Sequence, residues 1–281
     1  MTPQGVGVAV SCQIDGACLR GLQQLVFPDL AANVHHPAAL TWFENHRVTW
    51  RRGVQAQFIG CSMTDTPTLD ALPLFPLELV LFPDGFLPLR IFEVRYLDMV
   101  NQCEKTGAPF GVVTLARGSE VRTAAIDLAG GAQASQTVFH PVGTLARINH
   151  LSRPQPGLIM INCIGAQRFE VSQPELLKHG LWVGQAKLLP DDQSVPIPED
   201  LLPVASALAR VLDTLKAQGV MPEQMPIQPP YALHDCAWVA NRWCDLLPMA
   251  LAQKHRLMTL DNPLLRLELV SDLLERHGIA T

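Results

Sequence analysis

The sequence predicts an α+β protein: a small closed or partly closed β-barrel with one inserted helix over residues 70–195, followed by a C-terminal helical bundle over 196–281. Three observations carry this expectation. Short apolar runs broken by prolines and a turn fill residues 72–91. Further short apolar runs, punctuated by Gly157, Gly165 and Gly180, continue to Leu189. From Leu201 onward the apolar residues recur at three- and four-residue steps, the period of a helix face.

Taken in order, Leu72 to Phe75 and Leu79 to Phe82 read as strands bounded by proline, Pro83-Asp84-Gly85 as a turn, and Leu87 to Ile91 as a third strand. Each proline removes a ladder donor and biases the residue before it toward extended backbone. Short strands of a small barrel or a sheet edge are therefore expected here. Glu93 to Cys103 reads as a helix with Val94, Leu97, Val100 and Cys103 on its apolar side and Gly107 as its terminator. Strands are expected at Phe110 to Leu115, Thr144 to Ile148, Leu158 to Ile164, Arg168 to Val171 and Leu181 to Leu189, with a flexible Ala/Gly/Ser/Gln loop at 129–136. Seven or eight short strands with turns at this spacing make a barrel.

The helical part opens with Leu201, Ala205, Leu208, Val211, Leu212 and Leu215 on one face, Asp200 placed to cap the start and Gly219 the end. A Pro/Gln-rich linker, MPEQMPIQPP at 221–230, precedes the tail. Pro248 and Pro263 occupy first-turn positions and divide the tail into three short helices, with Asp261 or Asn262 before the second proline. Trp238, Trp243, Leu246, Leu257, Leu264, Leu267 and Val270 are expected to share a core.

Residues 1–69 precede the barrel. Within them, 1–62 hold Trp42, Trp50, His35, His36, His46 and the cluster Arg47, Arg51 and Arg52, yet no sustained period of 2 or 3.6. The expectation is a disordered extension or a start assigned upstream of Met63. A metal-binding appendage built from Cys12, Cys18, His35, His36, His46 and Cys61 is the rival, but those spacings match no zinc pattern.

Several separated blocks carry a family resemblance. LPLFPL at 72–77, FPDG at 82–85 and LPLRIFEVRY at 87–96 resemble the amino-terminal domain of Lon-type proteases, which also occurs as a stand-alone protein. VGTLARI at 142–148, QRFEV at 167–171 and GLWVGQAKLLPDD at 180–192 resemble its later strands. The segment from Trp238 to Glu275 resembles its closing helices, so the resemblance spans about residues 70–276. It implies a PUA-like pseudo-barrel and a substrate-recognition role.

Composition narrows the function classes. An apolar fraction of 48% supports a proper core, and a net charge of -5, from 21 Lys and Arg against 26 Asp and Glu, leaves no broad basic footprint for nucleic acid. RNA or nucleotide binding stays as the alternative because PUA-like barrels include RNA binders. Seven cysteines, none in a C-x-x-C pair, read as reduced cytoplasmic thiols. No run approaches eighteen apolar residues, and the amino terminus has no charged region ahead of its short apolar run at Val6 to Val10, so neither a membrane span nor a signal peptide is expected.

The search for chemistry returns few candidates. No lysine follows a glycine, so there is no P-loop, and neither a G-x-S-x-G elbow nor an H-E-x-x-H helix occurs. Lon proteases carry their Ser-Lys dyad in a separate carboxy-terminal domain, so the resemblance implies the substrate-contacting part without motor or blade. Cys163 is a candidate nucleophile with His140 or His150 as base, set against its place inside LIMINCI, where a cysteine is a small core residue. Asp191 and Asp192 with Glu199 and Asp200 suit either a cation or a solvated turn. Arg90, Glu93 and Arg95 suit either a grip on a peptide terminus or an ion-pair network tying strand to helix.

What remains is apolar recognition. Phe82, Phe86 and Leu87 flank the turn, and with Arg90 they are the candidate peptide-binding residues, against the reading that all three apolar side chains point inward. The expected function is thus a non-enzymatic, cytoplasmic module with no cofactor or metal. Its expected partners are unfolded or degron-bearing polypeptides and a protease or chaperone that receives them.

Overall fold

The computed structural model describes residues 67–117 and 138–279. The expectations for residues 1–62 and for the loop at 129–136 lie outside the described residues. Six strands are present among them: β1 (Thr68–Leu77), β2 (Phe86–Ile91), β3 (Phe110–Arg117), β4 (Val138–Gln155), β5 (Leu158–Leu176) and β6 (Trp182–Leu188). Five α-helices join them: α1 (Val94–Thr106), α2 (Leu202–Ala217), α3 (Cys236–Leu246), α4 (Leu251–Met258) and α5 (Pro263–Arg276). The α+β class, the inserted helix and the closing helices are as the sequence predicts.

Five strands close a ring. β1 pairs with β3 in parallel, β3 with β4, β4 with β5, β5 with β6, and β6 back with β1. β2 stands outside the ring as an edge strand on the first half of β5, from Phe86 opposite Ile164 to Ile91 opposite Ile159. β6 takes the second half, from Phe169 opposite Leu188 to Leu176 opposite Trp182. The prolines fit this arrangement. Pro73 lies where β1 is paired only with β6 and Pro76 where it is paired only with β3, so each has a side on which no donor is needed.

The strand count departs from expectation in two places. Leu79 to Phe82 forms no strand, because its carbonyls are met by side chains: Thr114 Oγ1 donates to Leu79 O at 2.9 Å and Thr144 Oγ1 to Leu81 O at 2.6 Å. Leu158 to Ile164 and Arg168 to Val171 are one strand, uninterrupted by Gly165. That glycine marks a close approach: its N–H donates to Gly85 O at 2.8 Å, its carbonyl accepts from Asp84 N at 2.9 Å, and a Cβ there would run into the Phe82 carbonyl. The element expected at Thr144 to Ile148 is likewise a fragment of the longer β4.

The helices also correct some detail. α1 buries Tyr96, Met99, Val100 and Cys103, while Val94 is 73% exposed. Stacking of Phe75 on Tyr96, with ring centroids 4.0 Å apart, sets the helix rotation, and two residues at 100° each put Val94 on the far side. Gly107 ends the helix in left-handed conformation, its N–H bonded to Cys103 O. Asp200 does not cap α2; it lies in the 3-10 turn Glu199–Leu201, which leads into the helix. Pro248 follows the end of α3, and α4 starts only at Leu251, whereas Pro263 does sit in the first turn of α5, with Asn262 Oδ1 accepting from Leu265 N. The 221–230 segment is more than a linker, since Met225 and Ile227 are buried in the helical core.

Three apolar clusters result. One lies between α1 and the sheet and contains Phe75, Leu87, Leu89, Ile161 and Cys163. A second fills the ring around Leu74, Leu145, Phe169 and Val171. The third is helical, built around Trp238, Trp243, Leu267 and Val270, and receives Val80 and Phe82 from the barrel. Burying Phe82 fully in this way is worth about 2–3 kcal/mol, which anchors the turn that follows it.

Candidate functional site

β2 alternates cleanly. Leu87, Leu89 and Ile91 are buried in the core, and Phe86, Pro88 and Arg90 are half-buried on the outer face. The register extends that face across two more strands. Phe86 lies opposite Ile164, Pro88 opposite Asn162 and Arg90 opposite Met160; on the far side of β5, Arg147, His150 and Ser152 of β4 stand opposite the same three residues. A bulge between Ile148 and His150 keeps this third column in step.

The face has apolar character at Phe86, Ile164 and Pro88, which are half-buried, and at Met160, which is 7% exposed; polar groups stand at Asn162, His150 and Ser152, and guanidinium groups at two diagonally opposed corners, Arg90 and Arg147. Neither guanidinium makes a hydrogen bond or ion pair among the described residues. Among the described residues β2 pairs only with β5, and its other edge is blunted at its middle, since Pro88 has no N–H to offer an added strand. Side chains of the face, and not the strand edge, are what this region presents.

The face is held rigidly. Arg242, itself 1% exposed, donates to Pro83 O at 2.8 Å and so ties the turn ahead of Phe86 to α3. Its Nε lies 2.9 Å from Asp245 Oδ2. Burial pushes the Asp245 carboxyl up, and the Arg242 and Lys254 charges only partly offset this. Further along, Arg168 of β5 donates to Met258 O at 3.0 Å and lies 3.1 Å from Asp192, fixing the barrel to the helices on a second side.

Of the predicted site residues, Phe86 and Arg90 reach the outer face. Phe82 and Leu87 do not: Phe82 is 0% exposed in the helical core and Leu87 is 1% exposed opposite Cys163, so neither can contact a docking chain. Cys163 is itself fully buried, and His150 stands on the other face of the sheet, so the two cannot act as nucleophile and base. Asp192 accepts from Arg266 through both oxygens and is not free to hold a cation; among the described residues no group of three or more His, Cys, Asp or Glu is placed for a metal. Burial pushes its carboxyl up, but the Arg266 hydrogen bonds and charge, with Arg168 behind, hold it below the ordinary range. Arg95 donates to Glu93 Oε2 at 2.7 Å and to Gly180 O at 2.9 Å, the ion-pair network of the second reading, and Arg90 takes no part in it.

Sequence reasoning missed Met160, Asn162, Ile164 and Arg147. In LIMINCI both faces are apolar, so period-2 alternation is hidden. Asn162 was the available signal, a polar residue in mid-run that marks the outward face. Among the described residues no helix is long and apolar enough to cross a membrane.

Comparison with known proteins adds an independent constraint. The family model of the ATP-dependent protease La (LON) substrate-binding domain matches residues 71–276. The crystal structure of a Lon N-terminal domain protein from Xanthomonas campestris is similar over 73% of this chain and 98% of that one, with 29% sequence identity and a TM-score of 0.53. The N terminal domain of Mycobacterium avium complex Lon protease is similar over 74% of this chain and 99% of that one, with 15% identity and a TM-score of 0.44. No curated protein matches.

Proposed function

The chain belongs to the LON substrate-binding domain family, and from that premise we propose that it is a non-enzymatic module that holds unfolded or degron-bearing polypeptide on the outer face of β2, β5 and β4. A protease or chaperone is the machine to which it presents the bound segment. The observation that carries this reading is the Phe86–Ile164 pair with Pro88 beside it, apolar side chains left half-buried on two strands, β2 and β5, whose other face is buried in the core. An unfolded chain exposes matching apolar segments, and a rigid sheet meets them without an ordering cost of its own.

RNA is the weaker reading. Two guanidinium corners on a chain of net charge -5 make a poor phosphate track, and Phe86 is the face's single phenyl ring for stacking bases.

Fluorescence anisotropy with a chemically unfolded, labelled polypeptide tests the proposal. The wild-type chain is expected to bind it and to ignore the same polypeptide folded, and Phe86→Asp is expected to weaken binding about tenfold, equivalent to roughly 1.4 kcal/mol. Binding no stronger than that of an unrelated control protein would overturn the reading.

A further inference from the structure

We propose that this face selects an extended segment in which an apolar stretch is flanked by two carboxylates, one held by Arg90 and the other by Arg147; the inference rests on the polypeptide-binding reading above. The two arginines stand at opposite corners of a three-by-three array, Arg90 in the row of Met160 and Ser152, Arg147 in the row of Ile164 and Phe86. None of its nine positions carries an Asp or Glu, so the array itself offers no partner for either charge. Among the described residues neither guanidinium is engaged elsewhere.

Geometry sets the spacing of the ligand. Four residues along a strand and two strands across separate the corners by about 17 Å at Cα, taking roughly 3.4 Å per residue and 4.8 Å per strand. An extended chain laid along the diagonal covers that distance in about five residues. Carboxylates four to six residues apart therefore reach both arginines, while the residues between them pass over Asn162 at the centre of the array, with Pro88 and Ile164 on one side and Met160 and His150 on the other. Arginine suits the task because its planar fork takes a carboxylate bidentately.

The same charges select against other segments. Lysine-flanked apolar stretches meet two like charges and gain nothing from the face beyond its apolar side chains. Exposed pairs of this kind contribute about two- to fivefold each, so the pair together is expected to give about tenfold, fading as salt screens it.

Anisotropy with the full chain and three synthetic peptides tests the inference. The peptides share one apolar core and carry Asp, Asn or Lys at both flanking positions, five residues apart. The Asp peptide is expected to bind about tenfold more tightly than the Asn peptide at low salt, with the Lys peptide weakest and the difference shrinking in high salt. Arg90→Gln with Arg147→Gln, its fold checked by circular dichroism, is expected to abolish the Asp preference, so that the Asp and Asn peptides bind alike. Equal binding of all three peptides, or an Asp preference that survives the double substitution, overturns the inference and leaves polypeptide binding intact. Binding of none of the peptides, or of single-stranded RNA in their place, overturns both.

Discussion

Asp192, in the segment that leaves the barrel, accepts two hydrogen bonds from Arg266 of the last helix, Nη1 to Oδ2 at 2.6 Å and Nη2 to Oδ1 at 3.0 Å. Arg266 is fully buried, also donates to Asn241 Oδ1 at 2.9 Å and to the Leu260 carbonyl, and shares Asp192 with Arg168 of β5. One carboxylate thus joins the barrel to the helical bundle, and the two positive charges around it compensate its burial.

Arg266→Ala leaves that carboxylate buried beside a vacated site. Removing one partner of a buried pair costs up to about 3–5 kcal/mol where the other charge is left alone; Arg168, 3.1 Å from Asp192, still compensates it in part, so the expected loss lies below that range and above what an exposed bridge contributes. The urea midpoint of Arg266→Ala is expected to fall accordingly, while Arg153→Ala, which removes the exposed pair with Glu104, is expected to shift it by less than about 1 kcal/mol.

The barrel–helix contact at His255 of α4 is expected to depend on pH. Its Nε2 is 3.0 Å from the Val142 carbonyl and its ring stacks on His140 of β4 with centroids 4.1 Å apart. Burial pushes its pKa down, the Val142 hydrogen bond opposes this, and the neighbouring His140 adds to the lowering. A depressed histidine favours the neutral form in the fold, so its contribution is complete above the unfolded value of about 6.5 and is lost as pH falls from there through the folded value. Denaturant midpoints of the wild-type chain are expected to drop between pH 7 and pH 5 more than those of His255→Gln, which keeps a donor for Val142 without titrating.

Thr144→Val tests Leu79 to Phe82, a segment whose apolar run predicts a strand that the fold does not form. Thr144 is 1% exposed, and its hydroxyl is the partner of Leu81 O. Valine fills the same space and leaves that carbonyl unpaired, at a cost of about 1–3 kcal/mol. Thr114→Val is expected to act similarly through Leu79 O, and the double variant to lose about the sum of the two single losses if the bonds are independent.

These threonines show where the sequence stops being legible. The inserted helix and its glycine terminator follow from local period and turn chemistry, which a single chain segment contains. Leu79 to Phe82 has the same composition as its neighbours, and only Thr114 and Thr144, 35 and 63 residues away from their partners, decide that it is not paired as a strand. The outer face of β2, β5 and β4 is hidden from the sequence for the same reason. Phe86 and Arg90 were readable on β2, but Ile164, Asn162 and Arg147 join them only through the pairing of β2 with β5 and of β5 with β4. Phe82 and Leu87 flank the same turn as Phe86, yet tertiary packing draws the first into the helical core and strand alternation turns the second inward.

Gly165 separates two uses of glycine that a sequence does not distinguish. At Gly107 an added Cβ meets nothing within 4 Å, and the penalty of alanine comes from its φ of 70° alone, about 1–2 kcal/mol. At Gly165 the backbone is in an ordinary strand conformation, but the Cβ would strike the Phe82 carbonyl, and Leu81 crowds it as well. Backbone cannot rotate away as a side chain can, so Gly165→Ala must push the 82–85 turn off β5, breaking the Asp84–Gly165 and Gly165–Gly85 hydrogen bonds. The expected loss is at least the 1–3 kcal/mol typical of overpacking, and larger than that of Gly107→Ala. Because the turn leads directly into Phe86, Gly165→Ala is also expected to weaken binding of an unfolded polypeptide under conditions where the variant stays folded, whereas Gly107→Ala, at the far end of α1, lowers the denaturant midpoint and leaves that binding unchanged.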